Sequence, residues 1–280
     1  AGKKGESPWR AIFLPWFVRP SRDAAWYEAQ RTDILSRTGS LDDLHEQYPA
    51  TDTEALAPRT LDKRIPPDWI EQCYQELEPQ TLTSQSELEI YRAPNPGRRY
   101  VIGCDPAEGN PTSDDSALTV MDLLTGEEMA VLSGKYQPAV MGGLVDMAGR
   151  YYNTADVLVE RNNHGHAVLM WLFEHSALRV LDGYDDKPGW FSSSLGKTMM
   201  YDACADAFRQ KNTVLHSFAT FTQLASIEGA TLLAPEGEPD DRADSYALAN
   251  LARQYALFMD RRDAGNQTVV YDERVEISEY

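Results

Sequence analysis

The chain has 280 residues, 42% of them hydrophobic, and a formal net charge of −18. That length and apolar content suit one large or two modest domains with a buried core, and no apolar run approaches the ~20 residues that a bilayer-spanning helix needs. The acidity argues against tight unaided binding to nucleic acid, because proteins that hold DNA by themselves usually present a basic face that displaces counterions.

Residues 1–85 read as a region of their own. Trp9 to Trp16 is an aromatic-rich, strand-like run, and Ala24 to Ser36 has helical spacing. Between Leu41 and Leu56 two short helical patterns are broken at Pro49, with Thr51 placed as an N-cap and Glu54 as its capping-box partner. The main domain, 86–259, then reads as strand 100–105, strand 116–122, strand 127–133, helix 138–152, strand 156–160, helix 165–175, strand 177–182, helix 198–211, helix 218–228 and helix 242–258. Gly126 marks a hairpin between the second and third strands. Three consecutive strands followed by alternating helix and strand predict an α/β fold, a mixed sheet with helices on its faces. Residues 260–280 are expected to form an exposed, partly disordered tail, with a β-capable run at Thr268–Tyr271.

Three places deliver carboxylates out of regular structure. The run Tyr100-Val101-Ile102-Gly103-Cys104-Asp105 carries an acid to its end and breaks at Pro106; Asp156-Val157-Leu158-Val159-Glu160 does the same; and Asp240-Asp241-Arg242-Ala243-Asp244 opens the last helical pattern. Any one of these acids alone reads as a turn former or helix cap. Together, two strand-end acids and a helical pair are what a divalent-metal site for phosphoryl chemistry needs. The crossover through the helix at 138–152 can lay the strand at 156–160 beside the first, bringing Asp105 and Glu160 to neighbouring strand ends. In a plain doubly wound sheet the same acids would still collect at the carboxyl edge. Asp241 and Asp244, three apart, share a helix face, whereas Asp240 points elsewhere and is placed to cap. Asp115, before the second strand, is either an outer ligand or a turn residue.

The segments GCDPAEG with its trailing DDSALTV, VLVERNNHG and DDRADSYALA resemble the ribonuclease-H-like nuclease domain of tailed-bacteriophage terminase large subunits, over about residues 88 to 258. The resemblance implies a metal-dependent endonuclease that cuts concatemeric double-stranded viral DNA with little sequence preference, using two Mg²⁺ or Mn²⁺ ions. Asp105, Glu160 and Asp244 would then be the principal ligands, with Asp241 close behind and Asp115 outermost. It also places Lys197 where these nucleases face the scissile phosphate, although a solvated helix-start lysine reads equally well, and puts His164 and Arg161 near the substrate. The segment at 41–56 resembles the stretch leading from the ATPase domain of a terminase into its nuclease. The implied partners are that ATPase domain, the small terminase subunit and the portal protein, and the implied location is the host cytoplasm.

The rest of the sequence bounds that reading. A P-loop needs Gly, four residues, then Gly-Lys-Ser/Thr; ahead of Gly196-Lys197-Thr198 the first glycine is replaced by Phe191, so no ATPase activity is expected. His164 and His166 lack a cysteine or third histidine partner, and Cys73, Cys104 and Cys204 lie far apart without CxxC pairing, which argues against zinc and disulfides. Tyr151, Tyr152, Trp171 and Phe173 fall at helical spacing and read as core, not as base-stacking platforms. Two alternatives remain open: a nuclease for Holliday junctions or RNA–DNA hybrids, since fold does not fix function, and a non-catalytic packaging docking module.

Overall fold

The computed structural model describes residues 12–38, 41–56, 63–80 and 88–266. Its centre is a mixed sheet of β1 (Glu89–Ile90), β2 (Tyr100–Asp105), β3 (Ser116–Asp122), β4 (Glu128–Gly134) and β5 (Asp156–Val159), in the order β1-β4-β3-β2-β5. β2, β3 and β4 form an antiparallel meander, and β5 joins β2 in parallel with Cys104 opposite Val159. The crossover into β5 is α5 (Pro138–Tyr151), which packs with α6 (Gly165–His175) on one side of the sheet.

Strand alternation divides the sheet between two cores. Ile102, Cys104, Leu118, Val120, Val157 and Val159 point to the side of α5 and α6. Val101, Met121 and Leu158 point to the other side, against α7 (Ser194–Arg209), α8 (Phe218–Ser226) and α9 (Asp241–Asn266). By the same alternation Gly103 and Asp105 face α9, and Glu160, next after Leu158 and Val159, shares that face.

The approach of α9 to β2 is unusually close. A Cβ built on Gly103 would overlap backbone atoms of Ser245 and Ala249. The helix answers with a run of buried alanines at 243, 247, 249 and 252, and Ser245 hydrogen-bonds Thr119 of β3 at 3.0 Å. The start of α9 is capped from outside: Gln223 Oε1 of α8 accepts the Arg242 and Ala243 N–H groups at 2.7 and 3.2 Å. The expected cap, Asp240, instead accepts the Ala234 N–H at 3.3 Å.

Ahead of the sheet lie a 3-10 turn at Trp16–Val18, α1 (Ala24–Thr38), α2 (Asp42–Gln47), α3 (Asp52–Leu56) and α4 (Pro67–Cys73). Thr51 Oγ1 accepts the Glu54 N–H as anticipated, and Glu54 returns a carboxylate to the Ala50 N–H, one residue before the cap. Residues 63–80, which the expected boundary at 85 assigns to the leading region, pack into the main core through Ile65, Ile70 and Cys73.

Several expectations need correction. The strand expected at 177–182 is reduced to isolated bridges, Val180 to Val157 and Asp182 to Pro188 and Gly189, because the chain turns at once through Gly183 and Lys187. The strand-like run at 9–16 is irregular from Ile12 to Pro15, and its first residues lie outside the described ones. The expected tail from 260 is still α9 as far as Asn266; Thr268–Tyr271 lies outside the described residues. Phe173 is 60% exposed instead of core, while Tyr152 is fully buried. Among the described residues no helix is long and apolar enough to cross a membrane.

The contact between β2 and α9 gives a direct test. Gly103→Ala should lower the melting temperature by about 3–10 °C, since overpacking costs roughly 1–3 kcal/mol and a domain of this size loses a few degrees per kcal/mol. Gly143→Ala, whose Cβ would meet Trp171 at an ordinary 3.7 Å inside α5, should be neutral or stabilising. Equal melting of the two variants would contradict the packing described.

Candidate active site

The parallel register of β2 and β5 ends with the Glu160 N–H donating to the Cys104 carbonyl at 2.8 Å. Asp105 and Glu160 therefore leave adjacent strands side by side, on the α9 face. Gly103 lets α9 settle onto β2, and the helix's first turn then carries Asp241 and Asp244 over the strand ends; both are buried. Asp105, Glu160, Asp241 and Asp244, distant in sequence, lie near enough for the last three to act on the Asp105 carboxyl.

Electrostatics record the crowding. Burial, a hydrogen bond with Glu160, and the charges of Glu160, Asp244 and Asp241 push the Asp105 carboxyl well above the usual range. Burial raises Asp244 to about 6, with Asp240 and Glu160 adding to the effect and Lys197 and Tyr201 opposing it. Burial, then Asp114, Asp115 and Asp240, raises Asp241 to about 7. Like charges this close favour a shared proton or a cation.

One cation is already present. Lys197 Nζ lies 3.1 Å from Asp244 Oδ2, and Tyr201, one helical turn further along α7, donates its hydroxyl to Asp244 Oδ1. α7 starts earlier than expected because Ser193 caps it, its hydroxyl accepting the Gly196 N–H at 3.1 Å; this sets Lys197 in the first turn, facing α9. Burial disfavours the Lys197 charge, yet Asp244, Asp240 and Glu160 hold its pKa above the ordinary lysine value. The sequence reading missed Tyr201, although its spacing of four from Lys197 marks the same helix face.

The remaining candidates stand apart. Asp115 forms an ion pair with Lys135 at 2.7 Å and bears on the cluster through Asp241. His164, half-buried, begins α6. Arg161, next after Glu160, points the other way: it pairs with Asp185 through its two terminal guanidinium nitrogens and lies 5.3 Å from the Phe191 ring centre.

The donors that converge are carboxylate oxygens, which suit hard divalent ions and not a thiolate–imidazole zinc site. They are gathered but not closed round one point: among the described residues, no three His, Cys, Asp or Glu side chains form a ready cage. The Asp244 carboxylate is instead satisfied by Lys197 and Tyr201. A divalent ion therefore fits the chemistry of this donor set and would compete with the Lys197 ammonium for it.

The arrangement defines a ribonuclease-H-like fold with acids collected at the ends of its central strands. The large terminase nuclease from thermophilic phage G20c shares it: with bound magnesium, that structure superposes with a TM-score of 0.56 at 16% identity, covering 69% of this chain and 98% of the other. The same nuclease with cobalt gives 0.56 at 16% identity over 69% and 98%, and another structure of it gives 0.55 at 16% over 68% and 97%. No family model matches the sequence, and no curated protein matches it. At this identity the likeness establishes the fold: the chain has the fold of a terminase nuclease domain.

The raised carboxyls predict how stability depends on pH without metal. Asp241 binds its proton up to about pH 7 in the fold but only to about 3.8 when unfolded, so its contribution is complete below 3.8 and is lost as pH rises through 7. Asp241→Asn should therefore melt higher than the wild type at pH 8 in EDTA, with the difference shrinking toward pH 5. Millimolar Mn²⁺ at pH 8 should raise the wild-type melting temperature. A pH-independent difference, or no response to Mn²⁺, would contradict a crowded acid site.

Proposed function

We propose that the chain is a metal-dependent endodeoxyribonuclease, the nuclease part of a phage terminase large subunit, cutting double-stranded concatemeric DNA during genome packaging. The observation that carries the reading is the convergence of Asp105, Glu160 and Asp244 on the fold described, with the carboxyls of Asp105 and Asp244 pushed up by burial and by their acidic neighbours. Asp105, Glu160 and Asp244 would hold the metal, with Asp241 and then Asp115 further out contributing to the same site. Two divalent ions, Mg²⁺ or Mn²⁺, would when bound activate a water and stabilise the leaving oxygen of an in-line displacement.

The chain's own residues do the rest. Lys197 keeps Asp244 charged and, once released from it, is placed to pair with a phosphate oxygen; Tyr201 fixes the Asp244 carboxylate. His164 flanks the strand of DNA beside Glu160. Arg161 takes part indirectly, bracing the loop that follows Glu160. With −18 net charge, DNA has to be delivered by other parts of the packaging machine: the ATPase domain, the small subunit and the portal. This chain does not hydrolyse ATP, and it works in the host cytoplasm.

Plasmid cleavage in Mn²⁺ tests the reading. Asp105→Ala, Glu160→Ala and Asp244→Ala should each abolish nicking and linearisation while remaining folded, and Lys197→Ala should reduce cleavage partially. Wild-type cleavage should show little sequence preference and fall steeply with salt. If freshly purified Asp105→Ala and Glu160→Ala proteins cut as fast as wild type, the nuclease reading is wrong.

A further inference from the structure

A groove of about 1010 Å³ opens at the end of β5, between α6 and the segment 185–191. One wall is the loop of Arg161, Asn162 and Asn163, which follows Glu160 directly, so the groove begins one residue from a proposed metal ligand. The loop is held firmly: the Asn162 side chain accepts the Ser192 N–H and donates to the Ser192 carbonyl, both at 3.2 Å.

Large apolar side chains stand open here. Met170 and Phe173, three apart on α6, are 62% and 60% exposed, and Phe191 on the facing wall is 43% exposed. An exposed apolar patch in a concave, polar-rimmed setting marks an interaction site more than a core defect. The Arg161 guanidinium lies against the Phe191 ring, so this aromatic is backed by positive charge. Arg161 balances Asp185, and Lys187 adds a further positive charge to the rim. Asn163 and His166, both exposed, supply amide and imidazole edges.

Flat apolar faces, polar edges and a negative backbone are the features of unpaired nucleotides, and aromatic platforms with basic rims are how single strands are held. A paired duplex hides its base faces and cannot use such platforms. We propose that the groove holds unpaired nucleotides of the DNA strand whose phosphate lies at the acid cluster, so that locally melted or single-stranded tracts are bound and cut in preference to fully paired duplex. The inference rests on the nuclease reading and specifies its substrate. The Arg161 guanidinium against Phe191 and the ammonium of Lys187 on the rim favour a strand with a negative backbone over an apolar protein segment.

Two measurements test it. In the first, a short single-stranded oligonucleotide carrying 2-aminopurine is titrated at low salt into the full chain bearing Asp105→Asn. Its fluorescence should be quenched by stacking, and adding Phe173→Ser or Phe191→Ala should weaken single-strand binding about tenfold. In the second, cleavage in Mn²⁺ is compared between a duplex with a mismatched bubble and the same duplex fully paired. The wild type should prefer the bubble, and the ratio should fall toward one in Phe173→Ser, whose side chain is solvent-facing enough to leave the melting temperature unchanged. Absence of quenching, or both variants behaving as wild type, overturns the proposal and leaves the groove to an apolar protein partner. Quenching that depends on Phe173 and Phe191 in a protein that cuts neither substrate would keep the groove as a single-strand site and remove the nuclease reading instead. Cleavage of both substrates at equal rates would do the reverse.

Discussion

The structure depends on one contact, the backbone-to-backbone approach of α9 to β2 at Gly103. With no side chain at 103, and Ser245 and Ala249 above it, the helix presses onto the strand. Any larger residue would lift it away. The helix axis is thereby fixed so that its first turn, carrying Asp241 and Asp244, projects beyond the strand ends where Asp105 and Glu160 emerge. Gln223 holds the same turn from the side of α8, accepting two of its free N–H groups. Strand register, helix approach and tertiary capping thus converge on the placement of a few carboxylates.

Such placement works against stability. Carboxyls raised to about 6 and about 7 are groups that the fold would prefer to keep protonated, and near neutral pH their ionisation disfavours the native state. Lys197 offsets part of that, as does Tyr201, but a single ammonium cannot neutralise the cluster. A site that penalises its own fold is a common mark of functional selection, because a purely structural role would be served by fewer charges.

Much of this was legible in the sequence. The strands carrying Asp105 and Glu160, and the helix carrying Asp244, follow from apolar runs ending at Pro106 and Asn162 and from the spacing of the late alanines. Their meeting was legible because a helix between two strands implies a parallel crossover. What escaped was tertiary. The cap supplied by Gln223 lies outside any local signature, and the short β1 exists only through its pairing with β4. α4 was overlooked although Pro67 and Asp68 give a good helix start. Phe173 was misplaced because helical spacing tells which residues share a face, not whether that face is covered.

The central claim is that Asp105, Glu160 and the first turn of α9 together form a divalent-metal site. Crystals soaked in MnCl₂ and measured at the manganese absorption edge test it most directly. The account predicts anomalous peaks among Asp105, Glu160 and Asp244, absent from crystals of Asp105→Asn, with Lys197 drawn off Asp244. Manganese bound elsewhere, or none bound while Lys197 stays on Asp244 at millimolar concentrations, would contradict it.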